Sequence, residues 1–332
     1  MPAWPAANST TIAGVTGRST SAASRRALDR LAALKNDPAH RIEFAIELLR
    51  ESDDPLVLHQ ALAALGDAPP EQAADPLRRL LQQFSSSPKR DPGGLLRAAI
   101  LGHLDQQLTN DDLPLIEKAV VTVEWTPTDN AGAAVLRAAA LVALDRLDPE
   151  LAVAHAAVML ANASDPRSTS HMTGEPATTA ARVLTARDQW PALLVFVQAA
   201  DGETPAEPLF EAIRGLDGVP EAVLVPVIAN LEDPREVILL GLCDLVVAHR
   251  GGPEIEAWLA GFLRGLSSID IYRYLLAAIV ASRRHDLFEI AARSLAGEFD
   301  RNRLAAALET LPLAVHEPTA TELLKTLQSR LR

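Results

Sequence analysis

Apolar residues recur along this chain at i, i+3, i+4 and i+7, as in Ile42/Ala45/Ile46/Leu49, Leu58/Ala61/Leu62/Leu65, Leu239/Leu242/Cys243/Val246 and Leu304/Ala307/Leu308/Leu311. That spacing gathers the apolar side chains on one side of a helix, so each segment reads as a helix with a single buried stripe. Val, Ile, Thr and Tyr never form the alternating runs of half-buried strands, which predicts an all-α chain. The pattern places helices over 19–35, 38–51, 54–65, 71–84, 92–108, 112–122, 131–147, 149–162, 176–187, 189–200, 206–216, 219–231, 234–249, 253–265, 268–284, 286–297, 299–311 and 317–331. Paired in order, they make about nine antiparallel hairpins.

Two features sharpen this into a repeat. Leu96-Arg97-Ala98-Ala99-Ile100-Leu101-Gly102-His103-Leu104-Asp105 aligns without gaps on Leu136-Arg137-Ala138-Ala139-Ala140-Leu141-Val142-Ala143-Leu144-Asp145, 40 residues later. Leu62-Ala63-Ala64-Leu65 keeps the same L-x-x-L spacing 39 residues before Leu101-Gly102-His103-Leu104. A period near 40 belongs to two-helix repeats, whose core grows by stacking neighbours. Asp-Pro occurs at Asp37, Asp54, Asp75, Asp91, Asp148, Asp165 and Asp233, mostly just ahead of an apolar stripe. The carboxylate can cap free N–H groups while proline presets φ at the first helical position, so each pair predicts a helix start.

On these residues the sequence resembles the HEAT/armadillo-type repeat family, whose first helix often opens with Asp-Pro, followed by an apolar-basic pair and then Ala and Leu at helical spacing. Asp91-Pro92 with Leu96-Arg97 and Leu101 follows the pattern, Asp54-Pro55 with Leu58-His59 follows it loosely, and Asp233-Pro234 is followed by Val237-Ile238 where a basic residue would stand. The resemblance covers roughly residues 37–260. It implies an α-solenoid of stacked hairpins, expected here as one domain over 18–332 behind a disordered tail over 1–17. It implies no activity, because the architecture serves many purposes.

Charge narrows the partners. The chain carries a net −12, and residues 51–262 alone hold 14 basic residues against 31 acidic. Phosphate backbones are gripped where Lys and Arg cluster, so nucleic acid is not expected along this section and a protein, peptide or small cationic partner is. A single cysteine, Cys243, excludes an intramolecular disulfide and a cysteine-built metal centre, and fits a reducing cytoplasm. The first residues lack the basic and apolar regions of a secretory signal, and no stretch approaches the ~20 apolar residues of a membrane span.

The motif search finds no H-x-x-x-H pair among the eight histidines, no phosphate-binding glycine loop and no G-x-S-x-G elbow, so neither catalytic residues, metal nor cofactor is expected. Cys243 lies on an apolar stripe and reads as a buried thiol, and Arg97 and Arg137, at equivalent repeat positions, read as rungs of an inter-repeat ladder. Trp190 and Trp258 read as core. Three connections are longer than the repeat needs: 85–91, 123–130 and 163–175. Recurring at about the repeat period, they should emerge along one edge, where Trp125, Asp129, Asn130, Arg167, His171 and Glu175 could form a polar patch with an aromatic anchor. The expectation is a non-catalytic protein- or peptide-binding scaffold. The alternative is a HEAT-like DNA-binding enzyme resembling alkylpurine DNA glycosylases, with Trp125 and Asp129, or Trp190 and Asp188, in the aromatic and acidic roles.

Overall fold

Helices begin where a carboxylate can reach the free N–H groups of a first turn. The computed structural model describes residues 21–124, 132–231 and 235–331, and among them the secondary structure is helical, without strands. Asp37, Asp54 and Asp148 each cap the helix whose first residue is the following proline, accepting from the backbone N–H of His40, Leu56 and Leu151 at 3.3, 3.0 and 3.0 Å. Two Asp-Pro pairs behave differently. Asp75 falls inside the first turn of a helix that starts at Ala74, and Asp165 closes a tight turn by accepting from Arg167 N–H at 2.9 Å. The Asp233-Pro234 pair lies outside the described residues.

The chain divides into two compact units, Met1–Leu77 and Arg78–Arg332. In the first, α1 (Ala22–Ala33), α2 (Pro38–Glu51) and α3 (Pro55–Leu65) pack on one another. Leu49, Leu58 and Leu62 are fully buried, and the Ser24 hydroxyl donates to Asp54 at 2.5 Å, tying the start of α1 to that of α3. The expected tail over 1–17 lies outside the described residues.

α4 (Ala74–Ser86) spans the division. Beyond it come α5 (Leu95–Leu104), α6 (Leu113–Val120), α7 (Ala134–Leu147), α8 (Pro149–Ala161), α9 (Ala177–Ala186), α10 (Trp190–Ala199), α11 (Ala206–Arg214), α12 (Glu221–Ala229), α13 (Glu236–Ala248), α14 (Pro253–Gly265), α15 (Ile269–Ser282), α16 (His285–Ala296), α17 (Arg301–Thr310) and α18 (Ala320–Leu331). All eighteen segments expected from the apolar pattern are helical, within about three residues at each end. In this unit α5, α7, α9, α11, α13, α15 and α17 form one row, each packing on the next. From α8 onward the even-numbered helices form a second row in the same way.

Between the rows lies an aliphatic core. Leu101 and Leu141 are both fully buried in it. Cys243 is buried as expected, and its burial beside Asp244 pushes the thiol up to about 12, so it is not a nucleophile at neutral pH. Trp190 and Trp258, expected in the core, are only half-buried, with Trp258 stacked on Phe262 at 4.7 Å between ring centres.

Candidate functional site

The starts of α5, α7 and α9 carry the three long connections, and two buried arginines join them. Asp91 accepts from Leu96 N–H, Arg97 N–H and Arg97 Nε, all at 3.0 Å, so one carboxylate caps α5 and anchors the arginine. Arg97, only 3% exposed at its side chain, also donates through Nη2 to the Asp91 carbonyl at 3.0 Å and to Glu124 Oε2 at 2.8 Å. Burial works against its charge, but the bonds to Glu124 and Asp91 outweigh it and hold the guanidinium above its ordinary pKa. Arg97 thereby fastens the 85–91 connection to the one that begins at Val123. Gly94 lets the backbones come this close, because its φ is +72° and a Cβ there would stand 2.8 Å from the Leu136 side chain on α7.

Forty residues on, at the aligned sequence position, Arg137 is buried and donates to the Ser168 carbonyl at 2.8 Å, fastening the start of α7 to the 163–175 connection. Both arginines therefore tie the start of one odd-numbered helix to the connection before the next, although each has its own set of acceptors. Their bonds join the described parts of these connections, 85–91, 123–124 and 163–175, to the starts of α5 and α7. Trp125, Asp129 and Asn130 lie outside the described residues.

The 163–175 connection is organised from within. Ser170 N–H donates to the Glu175 carbonyl at 2.8 Å, Gly174 N–H to the Ser170 carbonyl at 2.7 Å, and Met172 N–H to the Ser170 hydroxyl at 3.3 Å. Gly174, with φ +66°, presses on the starts of α9 and α11, where a Cβ would stand 2.6 Å from Thr178 Oγ1 and 3.1 Å from Glu207 Cβ. On this frame Arg167, His171 and Met172 are exposed, and neither Arg167 nor His171 makes a side-chain hydrogen bond or ion pair among the described residues. Glu175 is placed differently. It is half-buried and its carboxylate accepts from Thr179 N–H at 3.2 Å, so it caps α9, while burial raises its pKa against the bonds from Thr179.

Near the Arg97–Glu124 bond a shallow depression of about 330 Å³ opens between Ser85, Pro88, Lys118, Thr122, Val123 and Glu124. Exposed Leu95, Val121 and Val123 add apolar surface to this end of the row. A second cleft, of about 570 Å³, had no forerunner in the sequence reading. It lies between the ends of α10 and α12, against Val197, Gln198, Asp201, Pro226, Asn230 and Arg235. Its Asp201 carboxylate is held below the ordinary range, chiefly by the Thr204 hydroxyl. No cluster of three metal-ligating side chains occurs among the described residues. No helix among them is long and apolar enough to cross a membrane. Asp188, cast in the acidic role of the enzyme alternative, is an exposed turn residue with φ +55°. No protein-family model matches the chain, and no curated protein or solved structure matches it at a significant level.

Proposed function

We propose that the chain is an α-solenoid of HEAT-like repeats acting as a non-catalytic scaffold, which holds a protein or peptide along the edge formed by residues 85–91, 123–130 and 163–175. Support for stacked hairpins comes from the cross-links along the odd-numbered row. Arg97–Glu124, Arg137–Ser168, Arg182–Glu211, Thr204–Arg235 and Asp145–Arg187 join residues 27, 31, 29, 31 and 42 apart, so each ties one helix of that row, or the connection before it, to the next, and the last matches the 40-residue sequence period.

The observation that carries the binding reading is the 163–175 connection, whose backbone is fixed by its own hydrogen bonds while Arg167, His171 and Met172 project into solvent. A partner meeting a preorganised loop avoids the ordering cost that a floppy one would impose. Arg167 offers a guanidinium fork to a partner carboxylate, and Met172 offers an adaptable apolar contact. The test is affinity capture from the native host with the wild-type chain and with an Arg167→Glu/His171→Ala variant. Capture of a defined partner by the wild type alone, at unchanged melting temperature, is the expected result. Equal recovery by both forms would rule out this edge.

A further inference from the structure

The cleft between α10 and α12 draws its polar groups from the C-terminal turns of both helices, where the last carbonyls of a helix have no helical partner. The carbonyls of Gln198 and Ala199, at the end of α10, accept from no group among the described residues. Asn230, which closes α12, donates through Nδ2 to the Pro226 carbonyl at 2.8 Å, and its Oδ1 accepts from none of the described residues. Asp201 is pinned by one oxygen only. Its Oδ1 accepts from Glu203 N–H, Thr204 N–H and the Thr204 hydroxyl at 3.1, 3.0 and 3.0 Å, whereas Oδ2 accepts from nothing among the described residues. The cationic side chain of the cleft is already engaged, since Arg235 Nη1 donates to the Thr204 carbonyl at 2.7 Å. Neither helix carries a basic residue in its last turn to balance the negative end of its dipole. What these acceptors lack is a donor, and one of them carries a full charge.

We infer that this cleft binds a small organic cation, a primary amine carried on an apolar body. An ammonium brings three donors and no acceptor, which suits Asp201 Oδ2 and the open carbonyls, whereas a carboxylate or phosphate would meet the same groups as repulsion. Val197, Val227 and Leu231 supply apolar wall for the body of the ligand, and the volume of about 570 Å³ is that of a small-molecule pocket. Asp201 is ionised at neutral pH, because the Thr204 hydroxyl and the N–H groups of Glu203 and Thr204 stabilise its charge. The wider field acts in the same direction, with 14 basic residues against 31 acidic over 51–262. Arg235 opposes part of that field and keeps the attraction moderate. The inference is independent of the proposed partner edge, which is built from other connections.

Ligand-observed saturation-transfer NMR on the full chain tests it with phenethylammonium, against phenethyl alcohol and phenylacetate, which keep the apolar body and remove or reverse the charge. The amine is expected to bind with a dissociation constant of about 1 mM or lower. The alcohol and the acid should bind at least about fivefold more weakly, as should the amine to Asp201→Asn, since that factor is the upper end for an exposed ion pair. Asp201→Asn suits the test because its Oδ1 still accepts from Thr204 while the charge is gone. Raising salt from about 20 to about 300 mM should weaken the amine alone. Equal binding of the three probes overturns the inference in favour of an apolar cleft, and so does an amine affinity unchanged in folded Asp201→Asn or no amine binding up to about 20 mM. Should Asp201→Asn unfold the chain, Gln198→Lys replaces it by bringing a tethered ammonium to the cleft. It must weaken the amine, and an unchanged affinity overturns the inference. A capped lysine, Nα-acetyl-lysine methylamide, carries the same ammonium, and its binding more tightly than phenethylammonium would assign the cation to a partner's lysine side chain.

Discussion

From α5 to α17 the odd-numbered helices meet through polar rungs as well as through their core. Asp105 pairs with Arg146, Asp145 with Arg187, and Arg182, Glu211, Arg214, Asp244 and the Tyr274 hydroxyl form a continuous chain from α9 to α15. Arg273 extends the series to Glu309 on α17. Across α8, α10 and α12 no side-chain hydrogen bond or ion pair joins one helix to the next among the described residues, and contact is aliphatic. Directional rungs fix the order and spacing of one row, while the other relies on undirected apolar contact. The comparison predicts that changes to buried groups of the first row cost far more stability than changes on the outer face of the second.

The largest loss is expected where the first row buries charge. Arg97→Met would leave Asp91 and Glu124 without their cation inside the protein, and breaking a buried pair from one side costs about 3–5 kcal/mol. Denaturant melts should show that loss in the midpoint, and a change under about 1 kcal/mol would mean the carboxylates find water or another donor. Leu141→Ala comes next, at about 2–5 kcal/mol, because a fully buried leucine in a two-sided core leaves a cavity. An effect below about 0.5 kcal/mol would put Leu141 outside the stacked core.

A third prediction separates the rows directly. Arg214→Ala removes a rung that is nearly half exposed, so water and salt already screen it and the loss should stay within about 1 kcal/mol. Val195→Lys, on the outer face of α10, should change monomer stability by no more than about 0.5 kcal/mol. Melts at low concentration must therefore be nearly indifferent to both. If Val195→Lys unfolds the monomer, the side chain belongs to the core and the contrast between the rows fails.

Much of this arrangement is readable in the sequence, and the unread part has a definite physical cause. Asp37, Asp54 and Asp148 mark their helices because aspartate, proline and an apolar stripe follow in that order. Asp75 misleads because Glu71–Ala73 form a short tighter turn and the helix is under way at Ala74, where Pro76 is tolerated since first-turn N–H groups have no helical partner. Asp165 misleads because a polar run follows it instead of a stripe. The long connections stand out by length, and the bonds of Arg97 and Arg137 join them. Glu175 could not be told from Arg167 and His171, because whether a loop carboxylate turns outward or caps the next helix depends on backbone geometry. The outer face of α8, α10 and α12 is hidden for another reason. Periodicity separates inside from outside only by contrast, and Trp190-Pro191-Ala192-Leu193-Leu194-Val195-Phe196-Val197-Gln198-Ala199 has almost none, so exposed Val195 reads like buried Leu193.

The smallest effect belongs to the end of the even-numbered row, where polar pairing returns. His285 Nδ1 lies 2.8 Å from Glu317 Oε2, with His316 Nε2 3.8 Å from the other oxygen of the same buried carboxylate. The bond to Glu317 is the main reason His285 sits above its ordinary 6.5, and the charges of Glu289 and Asp286 act in the same direction. A histidine whose folded pKa exceeds its unfolded value gives stability that is fully present below about 6.5 and is lost as pH rises through the folded pKa. The melting temperature should therefore drift downward above about pH 6.5 in the wild type, and His285→Gln should flatten the drift because its amide keeps a donor for Glu317 at every pH. The imidazole is largely exposed, so the drift should be slight beside the losses in the first row. An unchanged slope in the variant would assign the drift to other groups, and a rising wild-type slope would contradict the pairing itself.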